Sequence, residues 1–252
     1  MYRENTPQAR QYLIHPNFWE NGWNSSLNIE TEKKYVYTKG YGLLSVHART
    51  SSFDPTNGYG FLSFTAKNVN HLGKLDLNTR FFARISSNTS PTSSALYTNG
   101  ASPEELYESK FTRAYGIFPQ NAGVPQLGGG LNLRGFMFSK GNPFVASVSG
   151  ISTSAELDFT KYVLIKPKAI KFLRVNTYVF TDIGSGTELD VATNTQTFKH
   201  GYIDAGIGSI WKFSFSGYRI KPLEIRFDVP FFRNDTQQPL DMRYVVGIGK
   251  SF

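Results

Sequence analysis

The chain has 252 residues, 40% hydrophobic, 15% aromatic and only 18% charged, a length sufficient for one large all-β domain and a balance that suits strands with one apolar face. The absence of cysteine excludes disulfides, thiolate zinc sites and cysteine nucleophiles, and no apolar run approaches the roughly 20 residues of a spanning helix, so only strands could cross a membrane. The formal charge of +8 is carried by single Lys and Arg at alternating positions without a basic block, which argues against nucleic acid and makes anionic lipid headgroups the better partner.

The first ten residues, MYRENTPQAR, lack a charged head followed by an apolar core and so do not read as a secretory signal. Either a signal has been removed or the sequence is part of a longer chain. Strict alternation of apolar and polar residues then predicts strands near 26–37, 41–51, 59–69 and 75–86. After the long segment 87–152, further strands are predicted near 153–165, 170–183, 200–215, 222–232 and 241–252. The pattern is clearest in PLEIRFDVPFF, where Leu223, Ile225, Phe227, Val229 and Phe231 alternate with Glu224, Arg226 and Asp228. Before it, Ile203, Ala205, Ile207, Trp211, Phe213 and Phe215 oppose Tyr202, Asp204, Lys212 and Ser214.

These stretches are longer than the five or six residues usual in soluble strands and match the roughly 9 to 11 needed to span a bilayer. Their connections alternate short (TKG, NHLG, KPKA, SGYRIK) with long (52–58, 87–152, 185–199, 233–240), as in outer-membrane barrels. Tyr35, Tyr37, Tyr59, Tyr162, Tyr178, Tyr202, Phe231 and Phe232 lie near strand ends, where interfacial aromatic girdles would sit. The expected fold is an all-β, antiparallel transmembrane β-barrel segment of about nine long strands, a single domain over 1–252 with one long extracellular loop at 87–152.

Three short motifs stand out. Leu133, Arg134, Gly135 and Phe136 form LRGF inside the long loop; FTDIG runs from Phe180 to Gly184; the chain ends VVGIGKSF, with a final aromatic at Phe252. In their order and spacing these resemble the BamA-like superfamily of outer-membrane barrels, which includes assembly proteins, two-partner-secretion transporters and bacterial surface antigens. LRGF is similar to that family's loop tip, with Leu in the first place, FTDIG to its FxDxG strand, and VVGIGKSF to its terminal strand. Lys250 departs from the apolar preference of outer-membrane proteins in general but fits this family's own ending.

The resemblance implies that the long loop enters the barrel lumen and that Arg134 pairs there with Asp182, with a further acidic residue on the intervening strand. Alternation turns Asp182 to the same face as Arg174, Asn176, Tyr178 and Phe180, and turns Glu156 and Asp158 inward on the strand before. A planar guanidinium suits bidentate carboxylate recognition in a partly dry interior. Gly135 would let the loop backbone approach the wall, and Phe136 would wedge against inward aromatics such as Phe180. The bland alternative for Arg134 is a solvated loop arginine.

The resemblance further implies outer-membrane localisation in a Gram-negative bacterium, lipid and the barrel-assembly machinery as partners, a polypeptide as the candidate substrate, and Phe252 as the assembly signal. The family barrel has about sixteen strands, of which this chain would supply about the last nine, since an odd antiparallel set cannot close antiparallel on itself. The function expected is a membrane anchor or a pore for protein translocation or assembly. The segment ASPEELYESKFTRAYGIFPQ is weakly similar to barrels attached behind zinc aminopeptidase-like modules, an alternative in which the catalytic part lies outside this chain. A soluble β-sandwich binding module is the rival of another class.

Enzymatic chemistry finds little footing. The histidines His15, His47, His71 and His200 are isolated, without a His-Glu-x-x-His pair, and no Gly-x-Ser-x-Gly elbow occurs. Glu104 and Glu105 follow Ser102 and Pro103 as the first turn of a helix would. No catalytic residue, metal site or cofactor is expected.

Overall fold

The alternating stretches form strands. A computed structural model describes residues 2–3, 22–23, 26–51, 58–87, 91, 94–98, 100–102, 105, 128–136, 146–163, 172–190, 195–198, 201–214, 223–234 and 244–248. Its main strands are β1 (Leu27–Tyr37), β2 (Gly40–Thr50), β3 (Gly60–Leu72), β4 (Leu75–Ser86), β5 (Gly150–Asp158), β6 (Leu173–Asp190), β7 (Tyr202–Phe213), β8 (Leu223–Arg233) and β9 (Val245–Ile248). They form one antiparallel sheet in the order β9-β8-β7-β6-β5-β4-β3-β2-β1, a meander in which even β4 and β5, separated by the long loop, are neighbours. Because each step reverses direction, β1 and β9 run the same way.

Local chemistry sets the turns. Leu72 and Leu75 face each other across Gly73 and Lys74, and Gly73 takes φ +68°, the first central position of a type II′ hairpin. β5 stops at Asp158, earlier than the alternation predicts, because the Asp158 carboxylate accepts the amide of Thr160 at 2.8 Å and the chain turns. The connection expected at 185–199 is mostly hairpin. β6 continues to Asp190, and Thr195–Phe198 pairs back on Thr187–Asp190, with the Thr187 hydroxyl donating to Gln196 Oε1 at 3.2 Å. The predicted last strand is described over Val245–Ile248; Phe252 lies outside the described residues.

The sheet has one apolar and one polar face, and burial is inverted relative to a soluble domain. On the apolar face Ile29 is 62% exposed, Leu62 54%, Ile85 75% and Ile207 51%. On the polar face Arg134, Asp182, Asp204 and Asp228 are all fully buried. The apolar core sits there too: Leu96, Leu131, Leu133 and Phe136 from the long loop pack with Phe82 of β4. The sheet also curls strongly, since Lys34 and Tyr35 of β1 line the same cavity as Ile210 and Lys212 of β7.

Candidate functional site: a loop arginine clasped by strand carboxylates

The loop reaches the sheet through backbone it makes itself. Leu96–Tyr97 pairs with Ala146–Ser147, and the amides of Leu131 and Leu133 bond to the carbonyls of Tyr97 at 3.4 Å and Thr98 at 2.8 Å. Gly130 and Asn132 adopt left-handed φ values of +51° and +57°, residue types that tolerate this region, so the chain turns sharply and enters a one-turn 3₁₀ helix, Arg134–Phe136. Ser102 and Glu105 form a reciprocal capping box, the Ser102 amide donating to Glu105 Oε2 at 2.6 Å and the Glu105 amide to Ser102 Oγ at 3.2 Å. Glu105 is thus tied to Ser102 in the way its position after Ser102 suggests.

The structure brings Arg134, Asp182 and Glu156 together. Arg134 donates from Nε to Asp182 Oδ2 at 2.7 Å and from Nη2 to Asp182 Oδ1 at 2.8 Å, the bidentate fork. Its Nη1 donates to Glu156 Oε1 at 2.6 Å, and its own amide approaches Asp182 Oδ2 at 3.3 Å. The guanidinium lies 3.8 Å from the Phe180 ring centroid, a cation–π contact. Burial alone would lower the Arg134 pKa, but the charges of Asp182 and Glu156 outweigh it and hold the group well above its ordinary value.

Each part of FTDIG has a separate task. Phe180 is the platform under the guanidinium and Asp182 the fork's partner. At Gly184 a Cβ would lie 2.9 Å from Ser152 Cβ and 3.2 Å from Leu133 Cδ2, so only glycine leaves room for the loop leucine. Facing Phe180 and Tyr178 across the sheet are Gly206 and Gly208, and a Cβ on Gly206 would meet Phe180 Cζ at 2.6 Å.

Sequence reasoning missed several partners. The Gly135 amide donates to Asp204 Oδ2 at 3.1 Å, and Arg233 Nη1 donates to the Gly135 carbonyl at 3.0 Å. Asp228 Oδ2 lies 3.5 Å from Arg134 Nη1 and 3.0 Å from Arg226 Nε, while Asp228 Oδ1 accepts the Tyr178 hydroxyl. Alternation alone places Asp204, Arg226 and Asp228 inward, so a search for charged inward residues on the two strands that follow FTDIG would have found them. Arg233 was not findable that way. A β-bulge sets Ala205 opposite Phe232 but Gly206 opposite Pro230, and the extra residue turns Arg233 onto the polar face.

Some expectations are corrected. Phe136 packs edge-on against Tyr202, with ring centroids 4.9 Å apart, because Arg134 occupies the face of Phe180. Tyr178 and Tyr202 are therefore not girdle residues: both belong to the polar face. Tyr59 is also buried, its hydroxyl 3.1 Å from that of Ser94. Tyr37, 37% exposed, and Tyr35 stack at 6.1 Å on the apolar face, and Tyr162 is 63% exposed near the short-turn rim.

Fold and site together define an all-β antiparallel protein whose polar face clasps the tip of its own long loop. No family model matches the chain, and no curated protein or solved structure matches it. Among the described residues no group of His, Asp and Glu is arranged to hold a metal.

Proposed function

We propose that the chain forms the wall of an outer-membrane β-barrel of the BamA-like kind, serving as a membrane anchor or as a pore for protein translocation or outer-membrane assembly, with Arg134 locking the long loop inside. The observation that carries this reading is the inverted burial. Leucines, isoleucines and phenylalanines stand exposed along one face of strands 9 to 18 residues long, while arginines and aspartates are fully buried on the other. In water such a face would be a large unpartnered apolar patch; in lipid it is the surface a spanning strand needs.

The curl supports a narrow wall. Strands about 4.8 Å apart and tilted about 40° wrap nine into a diameter of about 18 Å, against about 32 Å for sixteen. A cavity lined by side chains of both β1 and β7 is in keeping with a tightly curved wall.

Fractionation of producing Gram-negative cells tests it. The chain is expected in the outer-membrane fraction, extracted only by detergent, with protease added to intact cells cutting only in the long loops. A product that stays in solution without detergent overturns the reading.

A further inference from the structure

We propose that a cavity of about 490 Å³ on the polar face, on the short-turn side of the loop lock, binds an anionic amphiphile: a phosphate or carboxylate head on an apolar chain. Its volume falls within the roughly 300–1,000 Å³ of small-molecule sites. The inference concerns a different part of the polar face from the Arg134 clasp and does not depend on the membrane setting.

The head position follows from a row of charges. In register across the sheet, Lys34 of β1 faces Leu43, Leu43 faces Lys67 of β3, and Lys67 faces Arg80 of β4. Two cations directly opposite each other repel, and here both are held out of bulk water. Arg80, 5% exposed, gives Nη2 to the Gly130 carbonyl at 2.7 Å, while its buried Nη1 has no hydrogen-bond partner among the described residues. The carboxylate acting on Lys67 is Glu32, from across β2, and it makes no hydrogen bond to the ammonium. An anion beside Lys67 relieves this repulsion, and the amides of Asn78 and Asn176, which also line the cavity without hydrogen-bonded partners among the described residues, supply further donors.

The lining also holds Lys212, the Asp158 carboxylate, which accepts the Thr160 amide, and an apolar part. Leu43, Val69 and Ile210 form apolar walls that a free inorganic anion would leave in contact with water. A neutral amphiphile would cover those walls but bring no counter-charge to the Lys67 ammonium, which faces Arg80 and has only the Glu32 carboxylate, from across β2, acting on it. A molecule with both a charged head and an apolar chain satisfies the two halves together. Glu156 also borders the cavity, but its Oε1 is held by Arg134, so it does not oppose the head with a free charge.

The test uses the purified full chain and native mass spectrometry, with dodecyl phosphate as probe, inorganic phosphate as the head alone and a dodecyl glycol ether as the uncharged chain. One dodecyl phosphate should be retained per chain. Lys67→Gln should weaken retention about tenfold or more, the usual scale for losing a charge-assisted contact. Val69→Trp, which fills the cavity and keeps the charges, should weaken it comparably and serves if Lys67→Gln does not fold. Inorganic phosphate and the glycol ether should each fail to compete. Absence of retention, retention unchanged in both variants, or equal competition by either half-molecule would each overturn the proposal.

Discussion

Arg134 and Asp182, 48 residues apart in the chain, meet through two parallel hydrogen bonds of 2.7 and 2.8 Å, both side chains fully buried. Such a pair does not stabilise by its Coulomb attraction alone, since both charges lose their water. Its consequence is specificity. With Glu156, Asp204 and Asp228 arrayed around it, the guanidinium fits one orientation of the loop, and any other leaves buried carboxylates without a cation.

Removing either member should therefore cost more than an exposed pair would. Arg134→Ala and Asp182→Ala are each expected to destabilise by about 3 to 5 kcal/mol and to open the loop to protease. The double variant should be no worse than the worse single. Limited proteolysis read together with urea midpoints checks this cycle; additive losses would mean the two residues act separately.

The bulge in β8 makes a sharper prediction. Deleting Phe231, the unpaired extra residue, leaves Phe232 opposite Ala205 and Arg233 opposite Asp204 in regular alternation, so Arg233 stays on the polar face and the Gly135 carbonyl keeps its donor. The deletion should leave the loop protected from protease, whereas Arg233→Ala should open it and cost about 1 to 3 kcal/mol. A loop opened as strongly by the deletion as by Arg233→Ala would mean that the bend of the bulge, and not parity alone, sets Arg233 in place.

Glycines facing the aromatic platforms should be intolerant. Gly206→Val forces the Phe180 ring out from beneath Arg134, with an expected loss of about 1 to 3 kcal/mol for overpacking. Gly201→Val is the control, because a Cβ there meets nothing within 4 Å. Thermal unfolding of the two variants side by side should show a drop for Gly206→Val alone.

The apolar face offers a test of its surroundings. Ile207→Arg, at a site 51% exposed, should cost about 2 to 4 kcal/mol if the face meets the bilayer midplane. In water the same exposed substitution should be close to neutral. Folding yields into lipid vesicles at equal protein concentration separate the two outcomes.

Alternation along the chain dictates the strands and their faces. Leu223 to Phe231 or Ile203 to Phe213 can satisfy strict alternation only as strands with one face polar and one apolar, because successive side chains point to opposite sides. The sequence also marked Arg134, Asp182 and Glu156, since an inward aspartate and glutamate beside a loop arginine are visible in parity and motif. What it could not fix was anything that depends on which strands become neighbours or on a single added residue. The pairing of β4 with β5 across the long loop places Arg80 beside Ser154 and beneath Gly130. The bulge reverses the parity of Arg233, a one-residue slip that flips a side chain to the other face with no change in composition. Phe136 found Tyr202 instead of Phe180 because the guanidinium had already taken that ring, a competition for one surface that exists only once the chain is folded.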